Sequence, residues 1–260
     1  MAEFDDKVVI VTGGGNGIGQ AAARMFAARG AHVVIADIDD GAAARITDDI
    51  LAAGGQALAV QHDVRDASSC ISLAERVTAE LGTIDVLVNN AGVGPHPQPF
   101  HQLTEQEYDR VMNVNAKGVF LTTRAVAPVM MEKRYGRIVN LSSVVGKKAS
   151  PFVLPYDMSK WAVIGLTQCI ARELAPLGIT VNAVCPGVIK TPLHEGVISD
   201  LSAMNATSED AAWQAFLDRI PMGRLQEGDD IAEMILFLAS DRARNVTGSS
   251  FNVNGGMELN

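Results

Sequence analysis

The 260-residue sequence predicts an α/β fold, a single domain over residues 1–260 built on a doubly wound parallel sheet of about seven strands. Three observations carry that prediction. Short β-branched runs alternate with longer amphipathic stretches through the first 190 residues, the pattern of strand–helix–strand units with helices on both sheet faces. No Pro/Gly/Ser-rich linker, internal repeat or low-complexity block interrupts the alternation. A chain of this length that is 48% hydrophobic can bury roughly 70–75% of its unfolded surface, so its core needs no covalent staple.

The strands follow in order. "KVVIVT" (7–12) is a continuous apolar run of strand length and opens directly into glycines. "GQAAARMFAARG" (19–30) places Ala21, Met25 and Ala28 at helical spacing and ends on Gly30, a stop signal. "HVVIAD" (32–37), "ALAVQHD" (57–63), "IDVLVNN" (84–90), "GRIVNLS" (136–142) and "ITVNAVCP" (179–186) repeat the strand pattern between helical segments, and "SFNVNG" (250–255) is the seventh. Residues 192–227 break the rhythm with two short helical patterns around a polar middle. Such excursions in compact domains are usually lids, so this segment is expected to cover a substrate.

Charge and composition exclude several classes. Thirty acids against twenty-one bases give a net charge of −9, which repels a phosphate backbone, and "KRYGR" (133–137) is too short a basic run to reverse that. Nucleic acid is not an expected partner. No apolar stretch reaches membrane-spanning length, and the acidic N-terminus lacks the basic start of a signal peptide, so neither a membrane nor secretion is expected. Cys70, Cys169 and Cys185 are dispersed, which suits a reducing, cytoplasmic setting. The five histidines show no metal-ligand spacing, so no metal site is expected.

The glycine cluster has a chemical reading. In "VVIVTGGGNGIGQAA", Gly13, Asn16, Gly17, Ile18 and Gly19 join a buried strand to a helix N-terminus, where backbone amides unobstructed by side chains can meet a pyrophosphate. Eighteen residues after Gly19, Asp37 ends the next strand, placed to accept hydrogen bonds from a ribose diol and to repel a 2′-phosphate. Asn16 and Ile38 beside it are neutral, where a phosphate would want Arg or Lys. The cofactor expected is NAD. Tyr156 and Lys160 in "PYDMSKW" lie four apart, on one face of a helix, so the ammonium is expected to lower the phenol's pKa and make it a usable proton carrier near neutrality.

Taken in order, T-G-x-x-x-G-x-G (Thr12 to Gly19), "NNAG" (89–92), "NLSS" (140–143), Y-x-x-x-K and "PG" (186–187) resemble the short-chain dehydrogenase/reductase family over essentially the whole chain. The resemblance implies a Rossmann-type sheet and hydride transfer between NAD(H) and a secondary alcohol or ketone. It implies that Tyr156 is the general acid/base, and that Lys160 lowers its pKa and holds the nicotinamide ribose. Ser143 would position the substrate oxygen in preference to Ser142, and Asn115 would hold a relay water in preference to Asn113. It also implies cofactor contacts from Asp63 and Val64 at the adenine, from Asn90 and Gly92 at the adenosine ribose, and from Pro186, Gly187, Ile189 and Thr191 near the nicotinamide. Thr12 is implied to be structural.

The family further implies a homotetramer with helices around 104–132 and 155–175 pairing across two-fold axes. The expected pocket walls are Gly94, His96, Val145, Phe152, Leu154, Val188, His194 and Trp213, which offer no clear cation for a carboxylate or phosphate. A small neutral hydroxylated substrate, a polyol, diol or acyloin, fits them best. The alternatives are a 3-oxoacyl thioester reductase, which would normally want NADPH and a basic patch, a hydroxysteroid dehydrogenase, and an NAD-binding regulatory protein on the same fold.

Overall fold

The computed structural model describes residues 2–259. Strands β1 (Val8–Thr12), β2 (His32–Asp37), β3 (Gln56–Gln61), β4 (Val86–Asn89), β5 (Gly136–Leu141), β6 (Ile179–Pro186) and β7 (Ser250–Val253) form one sheet in the order β3-β2-β1-β4-β5-β6-β7. All its pairings are parallel. The chain steps outward from β1 to β3, then returns to place β4 on the other side of β1. Such a reversal opens a crevice at the carboxyl ends of the strands. Four of the predicted strands run one or two residues too long at those ends; after β3, β4 and β5 the chain leaves the ladder there to line the crevice.

Nine helices cover or flank the sheet among the described residues: α1 (Gly17–Ala28), α2 (Asp40–Ala52), α3 (Ala67–Leu81), α4 (Glu105–Met112), α5 (Gly118–Lys133), α6 (Leu154–Leu174), α7 (Pro192–Asn205), α8 (Glu209–Leu217) and α9 (Gly228–Ala239). Strand alternation sorts the core into two layers. Val9 and Val11 of β1 pack with Phe26 of α1, Ile46 of α2 and Ile235 of α9 on one face, whereas Val8 and Ile10 pack with Leu73 of α3, Met130 of α5 and Leu174 of α6 on the other. Each such large side chain, once buried, stabilises the fold by roughly 1.5–3 kcal/mol.

A polar ladder crosses the second layer just below the crevice. Asn89 Nδ2 donates to Thr123 Oγ1 (2.9 Å) and Asn140 Oδ1 (2.8 Å), and Asn140 Nδ2 donates to Thr167 Oγ1 (2.9 Å). Asn89 and Asn140 are register partners on β4 and β5, and all four side chains are buried. Their satisfied hydrogen bonds make burial of these groups tolerable.

Candidate active site

The loops at the strand ends enclose one cleft of about 490 Å³ that reaches from the end of β3 to the end of β6. Its central turn is shaped by glycines. Gly13 adopts φ +62°, and a Cβ there would stand 2.8 Å from Ala91 Cα, while a Cβ on Gly19 would collide with the Gly13 carbonyl. Asn90 Nδ2 donates to the carbonyls of Thr12 (3.0 Å) and Gly13 (2.9 Å), and Thr12 Oγ1 accepts from the amides of Asn90 (3.0 Å) and Ala91 (3.1 Å). Thr12 therefore ties two loops together. Helix α1 begins here with no side-chain cap and no acid in its first turn. Its leading amides and partial positive charge suit an anionic pyrophosphate.

At the end of β2, Asp37 Oδ2 accepts from Gly15 N (2.9 Å) and Oδ1 from Asp39 N (3.0 Å), so the carboxylate is fixed against the glycine turn. Exposed Ile38 lies beside it. At the end of β3, Asp63 and Val64 line the same cleft, with Asp63 held by Arg65 through bonds of 2.7–3.1 Å. Those bonds keep the Asp63 carboxyl below its usual range. Two groups here escaped the sequence reading. His62 lines the cleft with Nδ1 against Ser69 Oγ (3.0 Å), and burial lowers its pKa. Arg45 of α2 donates from Nη2 to Gly15 O (3.0 Å) and Asn16 Oδ1 (3.2 Å). The expectation that no cation flanks Asp37 is corrected by Arg45, which reaches the turn from eight residues further along the chain.

On the other side of the turn, Ser142, Ser143, Tyr156 and Lys160 meet at the ends of β5 and the start of α6. Ser142 Oγ donates to Lys160 O (2.8 Å), so its hydroxyl is engaged by the helix and Ser143 is the one left to face a ligand. Lys160 Nζ donates to Leu141 O (2.9 Å) and lies 5.5 Å from the centre of the Tyr156 ring. The expected lowering of the tyrosine is not produced by the protein's own groups. Burial pushes the Tyr156 phenol up to about 12, with the Ser143 hydroxyl pulling the other way and Asp157 adding to the rise. Burial also brings Lys160 down to about 8. The physical reason for this correction is that loss of water outweighs an ammonium that sits beside the ring and is already bonded to a carbonyl.

Asn115 does not line the cleft but stands behind it, buried in a single π-helical turn, Asn113–Lys117, that joins α4 to α5. Its Oδ1 accepts from Val93 N (2.8 Å), and its Nδ2 donates to Val93 O (3.0 Å) and Ser159 Oγ (3.2 Å). Gly92 separates it from the lysine. A Cβ on Gly92 would stand 3.4 Å from Asn115 Oδ1 and 3.8 Å from Lys160 Nζ, so the glycine leaves a small polar gap between them.

Of the remaining expected cofactor contacts, Gly13, Asn16, Gly17, Ile18, Asn90, Gly92, Pro186, Gly187, Ile189 and Thr191 all line the cleft. Gly19 lies beneath it against Gly13. The expected substrate walls divide. His194 of α7 lines the cleft, and burial drives its pKa down to about 4, so it is neutral. Gly94 and His96 line an adjoining hollow with Leu193 and Arg110. Val145, Phe152, Leu154, Val188 and Trp213 line neither space: Val188 is buried in the core, Phe152 and Leu154 are exposed, and the carbonyl of Val145 accepts from Trp161 Nε1. Trp213 sits half-buried on α8. The loop after β4 is clamped by buried Glu107, which accepts from His96 N (3.0 Å) and Arg110 Nε (2.7 Å), while Arg110 Nη2 donates to Gly94 O (2.6 Å).

A parallel sheet of this order, a glycine turn at its reversal point and a Ser–Tyr–Lys set at its carboxyl edge define a dehydrogenase-type oxidoreductase. The chain belongs to the short-chain dehydrogenase/reductase family, whose members use a nicotinamide dinucleotide. The family model described as "Enoyl-(Acyl carrier protein) reductase" matches residues 13–258. Among curated relatives, the 3-oxoacyl-[acyl-carrier-protein] reductase FabG of Staphylococcus epidermidis is 41% identical over 98% of this chain and 100% of its own length. The oxidoreductase UcpA of Salmonella typhimurium is 36% identical over 100% of this chain and 97% of its own. The crystal structure of levodione reductase superposes with a TM-score of 0.93 at 33% identity, covering 97% of this chain and 98% of that one.

Proposed function

We propose that this protein is an NAD-dependent oxidoreductase interconverting a secondary alcohol and its ketone, with a small polyol, diol or acyloin as substrate. The observation that carries this reading is that one cleft contains both the Asp37 carboxylate and the Ser143–Tyr156–Lys160 set. Between β2 and β6 the sheet has four strand spacings, roughly 19 Å, a span suited to an extended dinucleotide. The adenosine end would lie by Ile38, Asp63 and Val64 with its ribose diol on Asp37, its pyrophosphate on the amides of α1, and its nicotinamide end between Lys160 and Ile189–Thr191. The bound cofactor supplies the hydride acceptor or donor and, when oxidised, a positive charge.

The chain's own groups handle the proton. Ser143 Oγ holds the substrate oxygen against the Tyr156 hydroxyl, which takes the proton during oxidation and returns it during reduction. Lys160 stabilises the phenolate that forms, and the gap at Gly92 between Lys160 and Asn115 accommodates a relay water. Residues 192–227, carrying α7 and α8, act as the lid. Neutral His194 offers a hydrogen bond without a charge.

A second reading, reduction of a 3-oxoacyl thioester, is favoured by the FabG relatives and by the family model's description. The deciding experiment is a panel of NAD-linked rates with hexitols, tetritols, butanediols, a steroid alcohol and a hydroxyacyl thioester. The highest kcat/KM is expected on a diol or polyol. A steroid or thioester at the top of that order overturns the substrate assignment, and the thioester in particular establishes the second reading.

Assembly is proposed as a homotetramer. Exposed apolar residues on α5 (Phe120, Met131) and α6 (Met158, Trp161) face outward, and a second copy of the chain is the occupant that covers them. The setting is proposed to be the cytoplasm, which suits three free cysteines. Among the described residues no helix is long and apolar enough to cross a membrane.

A further inference from the structure

We infer that Arg45 is a standby cation for a 2′-phosphate, so that the preference for NAD over NADP rests on the Asp37 carboxylate alone. The inference rests on the proposed cofactor reading. Two charges grip one residue from either side: Asp37 Oδ2 accepts from Gly15 N at 2.9 Å, and Arg45 Nη2 donates to Gly15 O at 3.0 Å and to Asn16 Oδ1 at 3.2 Å. The guanidinium thus stands within one residue of backbone from the carboxylate that meets the ribose diol.

Arg45 forms no ion pair with any carboxylate among the described residues, and its two acceptors are neutral. The other arginine at this end, Arg65, differs. It is consumed by Asp63 through three side-chain bonds. A planar guanidinium with unused donors is well matched to a phosphate, and its side chain is exposed and long enough to turn toward one. What bars the phosphate is therefore one like charge. Removing that charge is sufficient to admit NADP, with no cation to be introduced.

The test is a double-mutant cycle read by fluorescence titration of NADH and NADPH, with adenosine 2′,5′-bisphosphate as a competitor that probes the adenosine end alone. The variants are Asp37→Asn, which keeps an acceptor for Gly15 N, Arg45→Ala, Arg45→Lys and the Asp37→Asn/Arg45→Ala pair. Asp37→Ser replaces Asp37→Asn should the latter fail to fold by circular dichroism. Asp37→Asn is expected to tighten NADPH on the order of tenfold, and adding Arg45→Ala to remove that gain. Arg45→Ala alone should shift NADH by less than about threefold, and in the Asp37→Asn background Arg45→Lys should retain part of the gain.

A folded Asp37 variant with no gain in NADPH affinity overturns the inference. So does a gain that persists without Arg45. Equal losses of NADH and NADPH in Arg45→Ala would show that the arginine only braces the turn, and would also overturn it. Parent protein that binds NADPH as tightly as NADH sinks the NAD reading instead. In that case the inference about Arg45 stands only if Arg45→Ala weakens NADPH and spares NADH.

Discussion

Lys160 is buried and Tyr156 lies half-buried beside it, and the environment disfavours the charge on each, the phenol near 12 and the ammonium near 8. Tyr156→Phe is expected to lower turnover by about 10²–10⁴-fold while leaving NADH affinity within a few-fold, since it removes only the proton path. Steady-state kinetics with a cofactor titration checks both halves. For Lys160 the folded value lies below the ordinary 10.5, so the folded chain binds fewer protons between those values. Its favourable contribution is present above pH 10.5, declines as pH falls toward 8, and is gone below that. Lys160→Met should accordingly melt no lower than the parent at pH 7 while losing turnover. A large drop in Tm at that pH would contradict the buried-charge account. The Tyr–Lys spacing was legible in the sequence because residues four apart share a helix face. The direction of the tyrosine shift was not, because desolvation depends on what the rest of the fold stacks over the ring. Arg45 was hidden for a related reason: periodicity marks it as an exposed position of α2, and nothing local says that its side chain reaches back across to Gly15.

At the scale of elements, the strand–helix order, the turn into α1 and the excursion at 192–227 follow from local patterns of apolar residues and glycines. The link between α4 and α5 does not. Its π-helical turn inserts a wide ring that faces Asn115 toward Val93, and the run "VMNVNAKGVF" carries no distinctive mark of that. Nor does spacing reveal that Glu107 reaches the loop after β4. Burial pushes the Glu107 carboxyl upward, but hydrogen bonds from Arg110 and His96 prevail and hold it at about 2. Its stabilising contribution is thus present above pH 4.5 and is lost as pH falls toward 2. Glu107→Gln is expected to destabilise the protein by about 1–2 kcal/mol at pH 7, allowing for screening of the exposed His96, with the difference shrinking by pH 3. Urea denaturation at the two pH values measures it. A difference that is independent of pH would assign the effect to packing instead.

For the whole molecule, covering the two sheet faces still leaves apolar side chains on the outer sides of α5 and α6, where Trp161 is 52% exposed. Light scattering at micromolar concentration is expected to report four chains. Trp161→Glu should shift the distribution to smaller species while the monomer fold persists in circular dichroism. Four chains in the variant would place the contact elsewhere. The ladder of Asn89, Thr123, Asn140 and Thr167 sets a different kind of limit, on how this sequence can change. Its three bonds run between buried side chains, so substituting one member strands its neighbour and costs roughly 1–3 kcal/mol. An all-apolar set of similar volume would carry no such penalty. The two solutions are therefore separated by single variants that are worse than either. These four positions should drift together or stay as they are, and selection from a library randomised at all four should return linked replacements with few isolated ones.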